Sequence, residues 1–307
     1  MNGDISRREA TRIIAGTAAS VLVTRTAPAQ EAKMMQRAIP SSGEKLPVIG
    51  LGTWQSFDVG AGASERAPLE EVLTAFAKRG GRVVDSSPMY GRAEAVLGDL
   101  TAKLRLRNSL FLATKVWTSG REAGIRSMER SLGLMKAPRM DLMQVHNLVD
   151  VQTHLAALRE WKKEGRVRYT GITHYTAGSH GEVARVLERE KVDFVQINYS
   201  LMEREADERV LRVAQDRGVA VIVNRPFGGG SLFGRVRGQP LPDWAKEFDC
   251  SSWAQVFLKW IIAHPAVTCA IPATSKARHL EDNMAAGVGP LPDAKMRQRM
   301  VEIVAAL

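Results

Sequence analysis

Short apolar runs alternate with longer amphipathic segments along most of the chain after about residue 37. Short runs bounded by turn residues are typical of buried strands, and longer segments with apolar positions three or four apart are typical of helices. The pattern predicts helices at 69–79, 121–134, 152–164, 181–190, 205–217 and 252–263. It predicts eight buried strands at 48–51, 82–85, 110–115, 141–146, 167–172, 194–198, 219–223 and 267–271.

Strands that alternate with helices predict an α/β fold with a parallel sheet. Eight such units fit a closed (β/α)8 barrel of the TIM type. A doubly wound sheet is the alternative, but it favours a G-x-G-x-x-G turn after the first strand, which segment 50–53 lacks. We also expect an N-terminal hairpin that turns at 43–45 to plug the barrel floor, and an extra C-terminal helix over 293–306.

The first 30 residues have the order of an export signal. A pair of arginines, Arg7 and Arg8, precedes an uncharged run over 13–24 and then the small residues Ala27 and Ala29. The uncharged run is shorter than the roughly 20 residues that span a bilayer, so we expect no stable membrane insertion. An ordinary amphipathic helix is the alternative interpretation of this segment.

We therefore expect a twin-arginine-type signal peptide at 1–30 and a barrel domain at 37–307. The twin-arginine export machinery would be a partner, and the protein would be periplasmic or exported. It would be cytoplasmic if the signal is not cleaved or used.

Composition excludes several classes of protein. Hydrophobic residues make up 45% of the chain and charged residues 25%, which excludes global disorder. Two cysteines, Cys250 and Cys269, exclude a disulfide-rich scaffold, and we expect both to be free. The net charge is +10, and it would be +8 once residues 1–29, with four arginines and two acidic residues, are removed. Basic residues are interleaved with acidic ones and the histidine spacings match no ligand motif, so we expect neither nucleic acid nor metal to bind.

Polar side chains follow the second, third and fourth predicted strands, at the end where a barrel carries its chemistry. Asp85 ends the second strand, with Tyr90 five residues later; Lys115 ends the third and His146 the fourth. Each residue alone has a structural explanation, such as a helix cap, a solvated lysine or a hydrogen-bonded histidine. The apolar runs before Asp85 and Lys115 place both charges at the ends of buried strands, however. An unpaired buried charge is costly, so Lys115 needs Asp85 as its counter-ion.

Together the four residues predict a unit that delivers a proton. A tyrosine phenol has a pKa of about 10, and a nearby ammonium lowers that pKa. We expect Lys115 to lower the pKa of Tyr90, Asp85 to hold Lys115, and His146 to orient a carbonyl oxygen toward Tyr90. Such a set would protonate an oxygen while a hydride reaches the carbon bonded to it.

These residues and the segments around them resemble the aldo-keto reductase superfamily. The similarity lies in segments 81–98, 113–115, 144–147, 163–175 and 271–283, and it extends from about residue 37 to 285. The resemblance implies a (β/α)8 barrel that reduces an aldehyde or ketone to an alcohol. It implies NADPH as the cofactor, with NADH possible, and a small-molecule carbonyl substrate. The sequence leaves the oligomeric state open, and a monomer is the default expectation.

The resemblance also assigns a role to each site residue. Tyr90 would be the proton donor, Lys115 and Asp85 its tuning pair, and His146 the residue that orients the carbonyl. Trp54 and Trp117 would line the substrate pocket. The nicotinamide end of the cofactor would be held by Thr173, His174 and Gln196. Its pyrophosphate would be covered by the loop of Asn224, Arg225, Pro226, Phe227 and Gly228. Its adenosine end would be held by Lys276, Arg278, Asp282 and Asn283.

The chain departs from the family pattern at five positions of the cofactor site. Thr173-His174 stands for the usual Ser-Asn, and Asn224 stands for an aromatic residue that stacks on the nicotinamide. Ala273 and His279 stand for the Lys and Arg that hold the 2′-phosphate, for which Lys276 and Arg278 would substitute.

Two alternative functions stay open at this point. One is a non-catalytic NADP(H)-binding regulatory module of the same fold. The other is a barrel enzyme in which Lys115 forms a Schiff base with a carbonyl substrate.

Overall fold

The computed structural model describes residues 33–307, which form a two-stranded hairpin and a closed eight-stranded parallel barrel. The export signal expected at 1–30 lies outside the described residues. The strands are β1 (Gln36–Ala38), β2 (Lys45–Pro47), β3 (Leu51–Gly52), β4 (Val83–Asp85), β5 (Phe111–Val116), β6 (Met140–His146), β7 (Val167–Thr173), β8 (Phe194–Asn198), β9 (Ala220–Asn224) and β10 (Val267–Ala270).

Strands β3 to β10 pair in chain order, and backbone hydrogen bonds close the ring. The amide of Gly50 donates to the carbonyl of Ala270 at 2.8 Å, and the amide of Ala270 donates to Val48 at 2.9 Å. A further parallel bridge joins Gly52 to Ala273. The (β/α)8 barrel expected from the sequence is confirmed, although its first strand is shorter than the predicted 48–51.

Helices surround the barrel, and a final one follows the last strand–helix unit as expected. They are α1 (Ala63–Lys78), α2 (Ala93–Lys103), α3 (Arg121–Leu134), α4 (Val151–Lys163), α5 (His180–Arg189), α6 (Val210–Asp216), α7 (Ser231–Arg235), α8 (Trp253–Ile262), α9 (Ala277–Ala285) and α10 (Ala294–Ala305). No helix within residues 33–307 is both long and apolar enough to cross a membrane.

Two helix boundaries differ from the sequence-based expectation. The first helix was expected to begin after Pro68, but α1 contains that proline and starts at Ala63. Glu65 supports this added turn, because its carboxylate accepts the amide of Gly60 at 3.1 Å. The helix expected at 205–217 is divided, since Arg209 has a φ of −144° between a short 3-10 turn and α6.

The apolar core has two parts, because alternate strand residues point to opposite faces of the sheet. One set packs against the surrounding helices and the other fills the barrel interior, which explains why the strand segments are apolar throughout. The hairpin contributes Ile39 and Leu46 to the interior cluster. Its Glu44 carboxylate also forms ion pairs with Arg82 and Arg168, near the amino ends of two strands. The hairpin therefore closes the barrel floor, as expected, and leaves the opposite rim for the site.

Candidate active site

A cavity of about 650 Å³ opens at the carboxyl ends of the barrel strands. Residues within or just after the carboxyl-terminal halves of β3, β4, β6, β7, β8, β9 and β10 contribute to its wall, so the barrel rim brings distant parts of the chain together. The residues expected from the sequence that line this cavity are Trp54, Asp85, Tyr90, His146, Thr173, Gln196, Asn224, Arg225, Pro226, Phe227 and Lys276.

Lys115 and Asp85 form the expected ion pair beneath this cavity. The ammonium Nζ lies 2.6 Å from Asp85 Oδ1 and donates to the carbonyl of Ser86 at 2.6 Å. Lys115 is fully buried and Asp85 is 2% exposed. Burial alone would lower the pKa of Lys115, but Asp85 and Tyr90 together outweigh it and raise that pKa above its ordinary value. Lys115 therefore stays an ammonium, which argues against the Schiff-base alternative because that chemistry needs a neutral amine.

The second carboxylate oxygen of Asp85 is held by two amide side chains. Gln196 Nε2 donates to Oδ2 at 2.9 Å and Gln144 Nε2 donates to it at 3.3 Å. Gln196 in turn accepts the Thr173 hydroxyl at 3.2 Å. Together with Lys115, these residues make Asp85 the centre of a buried network that links five strands, β4 to β8. Gln144 is a member of this network that the sequence analysis did not single out.

Tyr90 lies beside the ion pair, with Lys115 Nζ 4.9 Å from the centre of its ring. Burial raises the pKa of Tyr90, Lys115 lowers it and Asp85 raises it, so the net shift is upward. The sequence-based expectation of a lowered pKa is therefore wrong in its net direction, although the ammonium acts as expected. Desolvation of the phenolate dominates because the ring is largely enclosed. A Tyr90 that keeps its proton at neutral pH suits the role of a proton donor.

His146 is buried next to Tyr90, and the two rings meet edge to face with centroids 6.2 Å apart. Burial first, then the charge of Lys115 and the neighbouring His174, lowers the pKa of His146 to about 2. The imidazole is therefore neutral, and it can act as a hydrogen-bond donor through only one nitrogen. Its Nδ1 lies 3.1 Å from the hydroxyl of Ser87, a second residue that the sequence analysis missed.

Several buried polar atoms have no partner within the described residues, and two of them belong to residues on the expected cofactor wall of the cavity. Asn224 donates through Nδ2 to the carbonyl of His174 at 3.1 Å, which leaves its Oδ1 without a hydrogen bond. Arg225, which has a φ of +49°, likewise has an unpartnered buried Nε. Buried polar groups normally pair, so these atoms fit a ligand that carries amide and phosphate groups. Lys276 adds a cation to the same wall, at the N-terminus of α9.

The loop after β9 turns sharply over this part of the cavity. Gly228, Gly229 and Gly230 have φ values of +58°, +66° and +99°, which side chains with a Cβ adopt at a cost. Gly229 and Gly230 line the cavity with Phe227. A glycine turn of this kind lets backbone amides approach a bound phosphate closely.

Gly228 does not line the cavity, and neither do four other expected cofactor residues. His174 turns its Nδ1 back onto its own loop, where it accepts the amide of Tyr175 at 3.1 Å. Asp282 accepts hydrogen bonds from Ser252 at 2.8 Å and from Gln255 at 2.6 Å, and so joins α9 to α8. Arg278 is exposed and Asn283 is buried. Contact of these four with a cofactor stays a prediction.

Large apolar side chains surround the reactive end of the cavity. Trp54, 46% exposed, lines it, whereas Trp117, also 46% exposed, stands beside it with its ring 6.5 Å from that of His146. Met89 and Tyr175 line the same wall and are each more than 40% exposed. The sequence carried no signal for these two, because they lie in loops without periodicity. Within residues 33–307 no three His, Cys, Asp or Glu side chains are grouped to hold a metal ion.

The fold and this site are those of an oxidoreductase barrel. The model of the aldo/keto reductase family matches residues 48–303, so the chain belongs to that family. It is 28% identical over 261 residues to methylglyoxal reductase YeaE of Escherichia coli, with 82% of this chain and 89% of that protein covered. It is 26% identical to L-glyceraldehyde 3-phosphate reductase of the same species, with 84% and 89% covered.

Solved structures agree with this assignment. An aldo-keto reductase from Klebsiella pneumoniae in complex with NADPH superposes with a TM-score of 0.72 at 25% identity. That comparison covers 89% of this chain and 95% of the other.

Proposed function

We propose that this protein reduces an aldehyde or a ketone to an alcohol with NADPH, and that Tyr90 donates the proton. The observation that carries the proposal is the phenol of Tyr90 next to the Lys115 ammonium, which a buried ion pair holds in place. The neutral imidazole of His146 faces the same cavity.

Each residue has one task in this reaction. An N–H of His146 binds the carbonyl oxygen and orients it toward the Tyr90 hydroxyl. Arg225 and Lys276 would hold NADPH in the cavity, where its chemistry would be the supply of a hydride to the carbonyl carbon. Tyr90 gives its proton to the oxygen, and the Lys115 ammonium stabilises the phenolate that remains. Asp85 keeps Lys115 in place and charged throughout.

We propose NADPH rather than NADH as the cofactor because the cavity wall carries positive charge. Arg225 and Lys276 line it, and the Klebsiella relative was crystallised with NADPH. The 2′-phosphate of NADPH attracts such cations more strongly than the 2′-hydroxyl of NADH does. We expect Lys276→Ala to weaken NADPH binding, measured by protein fluorescence, and to leave NADH binding nearly unchanged. An equal loss for both dinucleotides would refute this basis for the preference.

Replacing the proton donor tests the proposed function. In Tyr90→Phe we expect NADPH oxidation with a generic aldehyde to fall by about 100-fold or more, since general acid catalysis contributes about 10²–10⁴-fold. NADPH binding should persist. Tyr199→Phe is a matched control, because Tyr199 is buried away from this cavity and bonded to Asp207. Turnover in Tyr90→Phe equal to that of the unmodified protein would rule out the donor role.

A non-catalytic NADP(H)-binding module is the second candidate, and Asn224 is the observation that favours it. An aromatic platform for the nicotinamide is replaced there by an amide with an unpartnered oxygen. This candidate predicts NADPH binding without turnover on a broad panel of carbonyl compounds. Turnover of any member of the panel, lost in Tyr90→Phe, decides for the reductase.

We also propose that residues 1–30 direct export through the twin-arginine machinery, and that the mature protein is a monomer. The order of the arginine pair, uncharged run and small residues supports the first statement. We expect cell fractionation to find a shortened protein outside the cytoplasm and the uncleaved chain inside it for Arg7→Lys/Arg8→Lys. Size-exclusion chromatography with light scattering measures the assembly state.

A further inference from the structure

The orientation of a carbonyl by His146 depends on which ring nitrogen carries the single proton of the neutral imidazole. Nδ1 lies 3.1 Å from the Ser87 hydroxyl, in a site where both residues are buried. Nε2 makes no hydrogen bond with any residue in 33–307, although His146 lines the cavity. The substrate oxygen can therefore be bound only if the proton is on Nε2.

The hydrogen bonds of Ser87 determine that choice. The Ser87 oxygen already accepts the amide of Met89 at 3.4 Å, and the hydroxyl has one proton to give. His146 Nδ1 is the acceptor that the described residues offer for that proton. If Nδ1 were protonated instead, the Ser87 oxygen would accept from Nδ1 as well as from the Met89 amide, and the Ser87 proton would be left without a partner among the described residues. An unsatisfied buried donor is costly, so the tautomer with Nε2–H is favoured.

We propose that Ser87 is a positioning residue, whose hydroxyl donates to His146 Nδ1 and thereby presents Nε2–H to the substrate oxygen. Ser87 lies between Asp85 and Tyr90 in the chain, so one short segment after β4 carries the counter-ion, the tautomer-setting hydroxyl and the proton donor. The catalytic consequence rests on the proposed reductase function, whereas the tautomer itself does not.

Nuclear magnetic resonance measures the tautomer directly. Protein labelled with ¹⁵N in histidine gives long-range ¹H–¹⁵N correlations that distinguish a protonated from an unprotonated ring nitrogen, and His146→Gln assigns the signals. In the unmodified protein we expect a protonated Nε2 and an unprotonated Nδ1. Ser87→Ala should move protonation toward Nδ1, and Ser87→Thr, which keeps a hydroxyl, should restore the original signals. A protonated Nδ1 in the unmodified protein would overturn the proposal.

Ser86→Ala is the matched control. Ser86 is also fully buried, and its hydroxyl accepts that of Thr53 at 3.0 Å instead of meeting a histidine. We expect the His146 signals of this variant to be unchanged. A change in Ser86→Ala as large as in Ser87→Ala would show that loss of any nearby hydroxyl disturbs the ring, and would contradict a specific role of Ser87.

Kinetics test the consequence for catalysis. We expect Ser87→Ala to lower kcat for a carbonyl substrate by about 10- to 100-fold, because removing a donor to a developing oxyanion outright costs about 10²–10³-fold. The dissociation constant for NADPH should change less than twofold, and Ser87→Thr should recover most of the activity. An unchanged kcat in Ser87→Ala with Nε2–H retained would overturn the proposal. Absence of turnover in the unmodified protein would instead refute the proposed function, and the resonance data would still decide the tautomer.

Discussion

The buried pair of Lys115 and Asp85 offers the most quantitative test of this site, through the variant Asp85→Asn. The variant keeps the shape of the side chain and removes its charge, so Lys115 loses its counter-ion in a fully buried position. At an effective dielectric constant of about 20, unit charges 2.6 Å apart attract by about 6 kcal/mol. The Ser86 carbonyl accepts from Nζ before and after the change, so the ammonium keeps one hydrogen-bond acceptor in the variant.

We therefore expect the free energy of unfolding to fall by about 3–5 kcal/mol, as when one partner of a buried pair is removed. The new amide nitrogen would also face Gln144 and Gln196, both of which donate to that position. Without Asp85, burial lowers the pKa of Lys115, and a neutral lysine no longer stabilises the Tyr90 phenolate. Carbonyl reduction should fall together with stability.

Urea denaturation followed by circular dichroism measures this change, and an unaltered slope would show that the native state stays compact. Asp243→Asn is the control, because Asp243 pairs with Lys246 on the surface and its removal should leave the midpoint unchanged. A loss below about 1 kcal/mol in Asp85→Asn, the size typical of exposed pairs, would refute the reasoning. In the unmodified protein, the raised pKa of Lys115 implies that the contribution of the ion pair to the free energy of unfolding is fully present below about pH 10. That contribution is lost as the pH rises through the folded-state value.

Three further predictions concern the floor, the mouth and the cofactor wall of the barrel. Glu44→Gln should destabilise the hairpin at neutral pH by about 1 kcal/mol, since the ion pairs of Glu44 are partly exposed. Tyr169 and the two arginines hold the pKa of Glu44 below its ordinary value, although burial opposes them, so this difference should disappear as the pH falls through that lowered value. At the mouth, an aromatic aldehyde should have a kcat/KM at least about tenfold above that of glyceraldehyde 3-phosphate, because apolar side chains surround the reactive end. Trp54→Ala should reduce that ratio, and a preference for the phosphorylated substrate would contradict this view of the mouth. Asn224→Ala should weaken NADPH binding by about tenfold in a fluorescence titration, the size of one lost hydrogen bond. An unchanged affinity would exclude Asn224 from the cofactor site.

Hydrogen bonds to Asp85 connect the residues expected at the cofactor with those expected to deliver the proton. Lys115, which is expected to act on Tyr90, donates to this carboxylate directly, and so does Gln196. Thr173 is connected to it through Gln196. Gln196 and Thr173 are the residues expected at the nicotinamide.

The amino-acid sequence by itself determined the barrel and most of its rim. Strands enclosed on both faces must be apolar throughout, so the eight runs stand out, and a charge that ends such a run must lie at the rim. Asp85, Lys115 and His146 could therefore be placed from local pattern, as could the hairpin and the final helix. The predicted helix boundaries differ from the structure where a single residue determines them, at Pro68 and at Arg209.

Only the tertiary structure decided how the site residues are protonated and paired. Ser87 and His146 are 59 positions apart, and no local pattern shows that their side chains meet. The net pKa shift of Tyr90 depends on how deeply the ring is enclosed, and the free oxygen of Asn224 depends on the backbone of His174. Desolvation and hydrogen-bond geometry act across space between segments far apart in the chain, so they exist only after the barrel has closed.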